Sequence, residues 1–467
     1  MASVVRRTYL RGGIAMLGGV LAVACGEPTV RYVGQPQAGP AGPAGPAGAK
    51  GEAGAQGATG AQGAAGAAAK VPVNVEDWIG LPRTHPSGEA NHAAVERAAE
   101  ELLDKYNIVV SVLSVSGVTQ KTVVAAAGGQ PPTNAHIAFW DGAVLYAPGL
   151  AVSPDDQLKH VKEWAAHRED IFPGMSGTVM WRGKLTSLPT DTNNRGIYFD
   201  KGVLQKAGVA EPTPNWSFKE FEEKIEKASN PPDYWGFTYR SGSLDFLIFY
   251  GGWGGELMNS DQTKWTVDND VALTTMQWLY DLSWKHQIVP SPPPGEMMRS
   301  GEGKVAFDIT GNFRHPTLVK VGVDSGAAPM PRHNVPYTMA HGWVNSILKV
   351  TDDAVQEGAA LYAMWKSGPG WGVPFCLEGS NVPICGATLN HPTLQAGLKE
   401  DPILKTFIDQ APYAWRVPTF PSGRKSEGEL SGFVKKGLDN ELGLKEALEQ
   451  GQRAAQIVLD NDLKQYG

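Results

Sequence analysis

The apolar positions along the chain alternate between helical and strand-like spacing. Residues 89–106 carry apolar side chains three and four positions apart, which is typical of an amphipathic helix. Residues 107–115 then indicate a strand, 122–129 a short helix ended by glycine, and 135–140 a second strand. This alternation predicts an α/β fold with a sheet covered by helices.

Further helix signals and the length of the chain extend this prediction. Ser217 and Glu220 have the spacing of a capping box, and Trp216 and Phe221 are placed to form a hydrophobic staple. Residues 71–467 are too many for one ordinary hydrophobic core, so two lobes are expected. Two more amphipathic helices are predicted at residues 270–286 and 352–367.

The N-terminal segment has the layout of an export signal. Arg6, Arg7 and Arg11 precede an apolar run at residues 14–24, which is too short to cross a bilayer as a helix. The arginine pair resembles a twin-arginine signal, although Val5 stands where Ser or Thr is usual. The pattern leaves both twin-arginine and Sec export open.

Cys25 ends the stretch LAVAC, which resembles a lipobox, the site at which bacterial lipoproteins are cleaved and lipidated. We therefore expect a signal peptide at residues 1–24 and a lipid on Cys25. The mature chain would then be anchored to the outer face of the cell membrane or be periplasmic. Ordinary cleavage that leaves a free cysteine is the alternative.

Glycine recurs at every third position, ten times, between Gly39 and Gly66. A collagen helix needs glycine at this spacing, but only Pro40, Pro43 and Pro46 supply the imino acids that stiffen it. Residues 25–70 are interpreted as a lipidated cysteine and a collagen-like spacer. A solvated coil spanning roughly 35–40 Å and a triple helix in a trimeric surface protein are the two structural alternatives.

The charge of the chain argues against nucleic-acid binding. The chain has 41 Lys and Arg against 48 Asp and Glu, and loss of residues 1–24 removes three arginines and no acids, leaving about −10. An acidic, exported chain is a poor candidate for nucleic-acid binding.

With Cys25 lipidated, Cys376 and Cys385 form an even pair in an oxidising compartment, so a disulfide is predicted. Two buried free thiols are the alternative.

No enzyme signature is found in the sequence. The patterns G-x-S-x-G, H-E-x-x-H and the P-loop are missing, and the ten histidines are scattered, so no metal or cofactor is expected. A carboxylate pair that meets only in space would escape this search. The rival hypothesis is therefore a secreted polysaccharide-cleaving enzyme that uses two of Asp141, Asp191 and Asp200, each of which would otherwise be a solvated or capping residue.

The 14 tryptophans favour a sugar-binding function. Several stand beside Gly, Asp or Arg, as in FWDG, GGWGG and YAWRVP. An aromatic ring covers the apolar face of a sugar, while neighbouring polar groups bind its hydroxyls. We expect most of these rings to be in the core and a minority to line a ligand site.

The stretch from residue 183 to 221 resembles the bacterial sugar-binding lipoproteins of ABC importers, the family of extracellular solute-binding proteins that includes maltose-binding protein. Asp200 and Asn215 depart from it, where Asn and Thr are commoner. Residues 301–314 and 341–367 resemble a later strand and a returning strand and helix, with Ser300, Phe307 and Phe313 in place of Phe, Met and Trp. The residues that carry the first resemblance are Gly183, Lys184, Leu188, Pro189, Tyr198, Phe199, Lys201, Lys206–Val209 and Trp216.

The resemblance implies a two-lobed, periplasmic-binding-protein-like α/β fold that closes on a ligand in a cleft between the lobes. Strand crossings are expected near Thr190, Ile309 and Ser346. The first lobe would comprise residues 71–189 plus 309–345, and the second 190–308 plus 346–467. The implied function is carbohydrate capture by a monomeric, non-catalytic protein that delivers its ligand to a membrane permease.

The same resemblance implies a set of ligand-binding side chains. They follow a strand end in the first lobe, the first crossing, and the aromatic wall after the second crossing, with three further positions in tryptophan- and arginine-containing segments. These residues are Trp140, Asp141, Asp191, Asn193, Arg195, Phe313, Arg314, Trp253, Trp343 and Arg416.

Overall fold

Residues 1–70, which carry the predicted signal peptide, Cys25 and the glycine repeat, lie outside the part of the chain that the structure describes. The computed structural model describes residues 71–294, 303–315, 318, 322, 324–416 and 419–466. Within these ranges, no helix is both long enough and apolar enough to cross a membrane.

The described strands form one mixed sheet of ten strands and one separate pair. The main path of the large sheet has the order β2, β1, β3, β11, β7, β9, β8; β4 and β12 pair with β11, and β10 pairs with β7. Parallel strands flanked by helices confirm the predicted α/β fold. The strands are β1 (Val73–Ile79), β2 (Ile108–Ser114), β3 (Asn134–Ala138), β4 (Ala151–Val152), β5 (Met180–Trp181), β6 (Lys184–Leu185), β7 (Leu188–Asp200), β8 (Trp235–Thr238), β9 (Val305–Gly311), β10 (Ser325–Ala328), β11 (Thr338–Leu348) and β12 (Ala414–Arg416).

Helices connect these strands and follow them. Short 3-10 helices lie at Phe139–Asp141, Asn312–Arg314 and Ala411–Tyr413. The α-helices are α1 (Pro86–Arg97), α2 (Ala99–Tyr106), α3 (Val118–Ala127), α4 (Gly142–Tyr146), α5 (Pro154–Leu158), α6 (Trp164–Asp170), α7 (Pro173–Gly177), α8 (Lys201–Ala207), α9 (Phe218–Lys227), α10 (Ser243–Gly252), α11 (Asp270–Trp284), α12 (Asp353–Lys366), α13 (Pro369–Gly379), α14 (Gly386–Leu389), α15 (Pro392–Glu400), α16 (Pro402–Ile408), α17 (Gly423–Leu438) and α18 (Leu444–Tyr466).

The helix predicted at residues 89–106 is two helices. α1 begins earlier than predicted because Pro86 suits the first helical position and the His85 side chain accepts a hydrogen bond from the main chain of Ser87 at 3.2 Å. Ala98, with ψ of 6°, separates α1 from α2. Asn107 ends α2 in the left-handed conformation, with φ of 56°.

β3 ends two residues before the predicted strand does. Its last residue is Ala138, and Phe139–Asp141 turn into a 3-10 helix. β3 pairs in parallel with β1 and antiparallel with β11, so it lies inside the sheet. Trp140 and Asp141 are therefore placed directly after the end of an internal strand.

The local helix signals are confirmed. The Ser217 hydroxyl accepts from the main chain of Glu220 at 3.1 Å, and the Glu220 carboxylate accepts from the main chain of Ser217 at 2.7 Å. The Trp216 and Phe221 rings pack edge to face, with their centroids 5.4 Å apart. The amphipathic segments at 270–286 and 352–367 are α11 and α12.

β7 and β11 join the two halves of the large sheet. They pair antiparallel from Asn194 opposite Ala340 to Leu188 opposite Asn345, with a register shift after Trp343. β11 continues onto β3, whereas β7 continues onto β9 and β10. β9, where the crossing near Ile309 was expected, has β7 and β8 as its described partners, so it does not connect the halves.

The apolar clusters divide the chain differently from the predicted lobe boundaries. Tyr362 and Trp365 of α12 pack with Val75 of β1, in the cluster of the N-terminal strands and helices. Ile309 and Met339 lie instead in the cluster built largely from residues between 197 and 289. α12 thus packs on the side opposite to the one expected, whereas β9, which the expected boundary at residue 309 would divide, packs as a whole with the residues between 197 and 289. The division into two lobes itself stays a prediction.

The predicted disulfide is corrected to two free thiols. Cys376 lies on α13 and Cys385 directly precedes α14, and both are buried and unbonded. Burial raises the pKa of both thiols, which keeps them protonated. The loop between them is fixed by main-chain hydrogen bonds in both directions between Val382 and Thr192, at 3.0 and 3.1 Å.

A buried ion pair attaches α12 to the sheet. Lys366 donates to Asp77 of β1 at 2.5 Å, and both side chains are fully buried. The Tyr362 hydroxyl donates to the same carboxylate at 2.8 Å, and Asn345 of β11 donates to its other oxygen at 3.1 Å. The charge of Asp77 is thus matched by one cation and two further donors, as a buried carboxylate requires.

Lys366→Met should therefore destabilise the protein strongly, because it leaves Asp77 buried without its cation. We expect a loss of about 3–5 kcal/mol in the free energy of unfolding, measured by denaturant titration. Lys405→Met, which removes an exposed helical pair with Asp409, is the matched control and should change the midpoint little. Equal effects of the two substitutions would contradict the structural role given to the buried pair.

Candidate functional site

A cavity of about 440 Å³ lies where the end of β3 meets the start of α17. One wall comes from the 3-10 helix Phe139–Asp141 and α4, and the other from the first turn of α17. Two of the predicted ligand-binding residues are in this lining, which consists of Trp140, Asp141, Val144, Pro421, Ser422, Arg424 and Lys425.

Trp140 presents an aromatic wall that is shared with a cation. Its ring is half-buried and packs on the buried Phe139, with ring centroids 4.5 Å apart. The guanidinium of Arg424 lies 5.4 Å from the centroid of the Trp140 ring. This arrangement combines an apolar surface with hydrogen-bond donors at one place, as binding of a hydroxyl-rich ring requires.

Asp141 supplies the acidic group of the cavity. Thr119 of α3 donates to its Oδ2 at 2.6 Å, which fixes the carboxylate. Burial raises the pKa of Asp141, while the Thr119 hydrogen bond and the charge of Arg424 act in the opposite direction. A carboxylate held in this way is an acceptor for ligand hydroxyl groups.

A third predicted residue, Trp343, lies near the start of α3. Gly80 follows β1, and a Cβ there would lie 3.2 Å from Val118 and 3.3 Å from the Trp343 ring. The missing side chain lets Trp343 approach the turn that carries Thr119. Trp343 of β11 and Val118 at the start of α3 therefore lie on either side of Gly80.

Beside Trp343, the strands β7 and β3 contribute a buried polar cluster. Asp191 is directly opposite Trp343 in the strand register and is 2% exposed. Its Oδ1 lies 3.2 Å from the Thr190 hydroxyl and 3.8 Å from His136 Nε2. The His136 and Trp343 rings have centroids 5.5 Å apart. In this conformation Asp191 lies below the surface.

Arg195 and Phe313 form a further cationic and aromatic pair. The guanidinium lies 5.5 Å from the ring centroid, and 47% of Phe313 is exposed. A Cβ at Gly311 would come within 2.5 Å of both side chains, so glycine permits this stacking. Burial lowers the pKa of Arg195 to about 10, with repulsion from Arg240 adding to it, and the group stays positive at neutral pH.

Four other predicted residues lie on other parts of the fold. Arg314 is buried and paired with Asp308 at 2.7 Å. Trp253 packs among aromatic rings, with Phe218 at 5.3 Å. Arg416 is on β12 opposite Ala340, and its side chain lies outside the described part. Asn193, at 7% exposure, has an Oδ1 without a hydrogen-bond partner among the described residues. The ligand contacts predicted for these four stay predictions.

Asp141, Asp191 and Asp200, the carboxylates of the rival enzyme hypothesis, lie in three different environments. Asp200 caps α8 by accepting from Val203 at 3.0 Å and also accepts from Gly303 at 3.0 Å. Asp191 is buried beside His136, and only Asp141 lines the cavity. Among the described residues, no group of three or more His, Cys, Asp and Glu is arranged to hold a metal.

Sequence reasoning missed the contribution of Thr119 and of the first turn of α17. Thr119 is one hydroxyl among many, and its role follows only from the contact with Asp141. The signal at α17 was available, because Arg424 and Lys425 stand in a helical first turn that has no acidic residue. Cations are unfavourable at a helix N-terminus, so such a turn indicates a site selected for function.

Comparison with known sequences gives the family of this chain. Residues 85–357 match the bacterial extracellular solute-binding protein family, so the chain belongs to this family, which is non-catalytic. Curated relatives include putative binding proteins of Brucella abortus and Brucella suis, 29% identical over 85 residues. That alignment covers 18% of this chain and only 21% of the relatives' length.

Solved structures share the fold over most of the chain. The cyclic α-maltosyl-1,6-maltose binding protein of Arthrobacter globiformis has a TM-score of 0.72 at 16% identity, covering 84% of this chain and all of that one. The sugar-binding protein MalE of Xanthomonas citri gives 0.70 at 16% identity, covering 83% and 98%. A Listeria monocytogenes ABC substrate-binding protein in complex with cycloalternan gives 0.68 at 16%, covering 83% and 99%.

Trp140→Ala should cost less stability than truncation of a core tryptophan, because the Trp140 ring is only half-buried. We expect a loss of about 1–2 kcal/mol in the free energy of unfolding. Trp216→Ala is the matched control, since that ring is 1% exposed and donates to Pro329, and should cost about 3–5 kcal/mol. Denaturant melts of both variants measure the difference, and equally large losses would mean that Trp140 is a core residue.

Proposed function

We propose that this protein captures a carbohydrate for an ABC importer and passes it to a membrane permease. The observation that carries the proposal is the pairing of the Trp140 ring with the Asp141 carboxylate and the Arg424 guanidinium around one cavity. A sugar has apolar C–H faces and a rim of hydroxyls. The ring suits the former, and the charged groups suit the latter.

The ligands of similar solved structures support a carbohydrate ligand for this protein. The structures include a cyclic maltosyl-maltose binding protein, a cycloalternan complex and mannobiose and mannotriose complexes. These proteins are 16–19% identical to this chain, so their ligands guide the choice of candidates for testing. The dimensions of the cavity, about 440 Å³, are suited to one or a few sugar rings.

Closure on the ligand would use the two strands that join the halves of the sheet. β7 and β11 are the natural hinge, because the elements on either side of them pack into different apolar clusters. Trp140 and Asp141 lie beside β3 on one side, and Arg195 and Phe313 lie beside β9 on the other. Ligand contact with both groups would favour the closed state.

The predicted lipid anchor and spacer would place the protein at the membrane. A lipid on Cys25 would attach the protein to the membrane that holds the permease, and residues 26–70 would act as a spacer. Two-signal anchoring is the usual requirement for stable attachment by lipid. A diacylated cysteine would supply two chains. The folded part would then sample positions within reach of its permease without leaving the surface.

Thermal-shift measurement against a carbohydrate panel tests the proposal. The panel would contain linear and cyclic glucose oligosaccharides, mannobiose, mannotriose and tagatose, with amino acids as the control class. A ligand present at 100 times its Kd adds about 2.7 kcal/mol to the free energy of unfolding, which raises the melting temperature measurably. A panel in which no carbohydrate stabilises the protein would refute the proposal.

Substitutions at the cavity then test the assigned contacts. With the best carbohydrate, Trp140→Ala should weaken binding about 10- to 100-fold, because a stacked ring contributes about 1–3 kcal/mol. Asp141→Asn keeps the shape but removes the charge, so the loss should be somewhat smaller. Calorimetric titration measures both, and Trp278→Phe is the control, since Trp278 packs among aromatic rings and is not one of the predicted ligand contacts. Unchanged affinity in Trp140→Ala would displace the site from this cavity.

A further inference from the structure

Thr119 and Asp141 both lie at helix starts, yet their side chains bond each other and not their own helices. Asp141 immediately precedes α4, where an aspartate usually accepts from the helix main chain, but its side chain makes no capping bond. Thr119 is the second residue of α3, which follows Gly117, a residue with φ of 66° and no side chain to cap the helix. Thr119 Oγ1 donates instead to Asp141 Oδ2 at 2.6 Å.

Helix stability does not explain the orientation of the Asp141 side chain. An aspartate that caps its own helix stabilises a protein by about 0.5–2 kcal/mol relative to alanine, and Asp141 makes no such bond. Its carboxylate lines the cavity. Departures from the local rules of helix capping are expected at functional sites.

The hydrogen bond from Thr119 distinguishes the two oxygens of the Asp141 carboxylate. Oδ2 accepts from the Thr119 hydroxyl, whereas Oδ1 has no hydrogen bond to a described residue. The donor is held in the fold, since Thr119 is 7% exposed. The 2.6 Å distance is in the range of about 2.5–2.7 Å that is typical of a hydroxyl donating to an ionised carboxylate.

The main chain beside Asp141 has little room to move. Gly142 begins α4, and a Cβ there would lie 2.5 Å from the Ser187 Oγ, so this turn packs closely against the segment that leads into β7. With the main chain held, the side-chain torsions of Asp141 decide where its two oxygens lie. The hydrogen bond from Thr119 fixes these torsions.

The charged groups near the cavity lie on α17, α18 and α3. Arg424 and Lys425 of α17 line the wall that faces Asp141, and neither makes an ion pair with a described residue. Asp462 of α18 is buried and accepts from the main chain at the start of α17 at 2.6 Å. Lys121 of α3 is exposed. The contact that orients the Asp141 carboxylate is therefore a neutral hydroxyl, which can be removed without changing the charge of the cavity.

We infer that Thr119 is a positioning residue for ligand binding, whose hydroxyl holds Asp141 Oδ2 and thereby presents Oδ1 to a ligand hydroxyl in the cavity. This inference rests on the proposed carbohydrate-binding function. The ligand must then offer a hydroxyl that donates to Oδ1 while its ring lies against Trp140.

The same hydrogen bond affects the pH range of binding. Burial raises the pKa of Asp141, whereas the Thr119 hydrogen bond and then the charge of Arg424 lower it. Only the ionised carboxylate offers both oxygens purely as acceptors, so affinity falls as pH falls through that pKa. Loss of the Thr119 hydroxyl raises the pKa of Asp141 further, and the fall in affinity then begins at a higher pH.

Calorimetric titration with the best carbohydrate of the panel at about pH 8 is the first test. Thr119→Val keeps the shape but removes the donor and should weaken binding about tenfold, whereas Thr119→Ser keeps the donor and should bind within about twofold of wild type. Thr122→Val is the matched control on the same helix. Thr122 is 0% exposed, and its Oγ1 has no hydrogen-bond partner among the described residues, so this variant should bind like wild type.

Two further readouts separate positioning from a structural tie between α3 and the end of β3. When pH is lowered from about 8 to about 5, the affinity of Thr119→Val should begin to fall at a higher pH than that of wild type, and Asp141→Ala should lack this fall. The double variant Thr119→Val/Asp141→Ala should bind no more weakly than Asp141→Ala alone, because Thr119 acts through the carboxylate.

The outcomes separate the possible failures. The positioning role is overturned, and the carbohydrate function stands, if Thr119→Val binds like wild type, if it binds weakly with the wild-type pH profile, or if it weakens Asp141→Ala by a further tenfold. Thr119→Ala, which also lacks the hydroxyl, takes its place if melting curves show that Thr119→Val is unfolded. If no carbohydrate binds at any pH, the proposed function fails and this inference fails with it.

Discussion

The structure depends on a strand that is buried along its whole length although it is largely polar. All thirteen residues of β7 are buried, and seven of them carry Thr, Asp, Asn or Arg side chains. Every such group must find a hydrogen-bond partner or lose several kcal/mol. Partners come from distant segments, as when Asn194 donates to the Phe407 carbonyl and Thr338 exchanges two bonds with the main chain of Arg195.

This constraint explains why the candidate site lies beside the junction of β7 and β11. β7 and β11 run through the middle of the sheet, so residues at their junction touch elements from both halves. Trp343 lies at the register shift, where the regular ladder is interrupted and a side chain can be redirected. The end of β3, next to β11, adds Trp140 and Asp141. A binding surface at a strand end beside a junction can respond to movement of either half.

Features that depend on neighbouring residues were predicted correctly, whereas features that depend on contacts between distant residues were not. The capping box at Ser217 depends on four consecutive residues, so it could be predicted and is present. The break at Ala98 was missed because alanine favours helix and only tertiary packing separates α1 from α2. The predicted disulfide was wrong, and both thiols are free: Cys376 packs in an apolar cluster, and the Cys385 sulfur lies 3.2 Å from the Thr388 hydroxyl. Trp140 and Asp141 were predicted from a resemblance, and their cavity partner Arg424 was not.

The sequence by itself determined the α/β class, several of the helices and strands, and the acidic character of the chain, because periodicity, caps and composition act over short distances. Its family was also evident from motifs along β7. Only the tertiary structure decided which polar side chains meet: Thr119 with Asp141, Arg424 with Trp140, and Asp191 with His136. These contacts join residues that are remote along the chain, and their strength comes from burial, which no local pattern encodes.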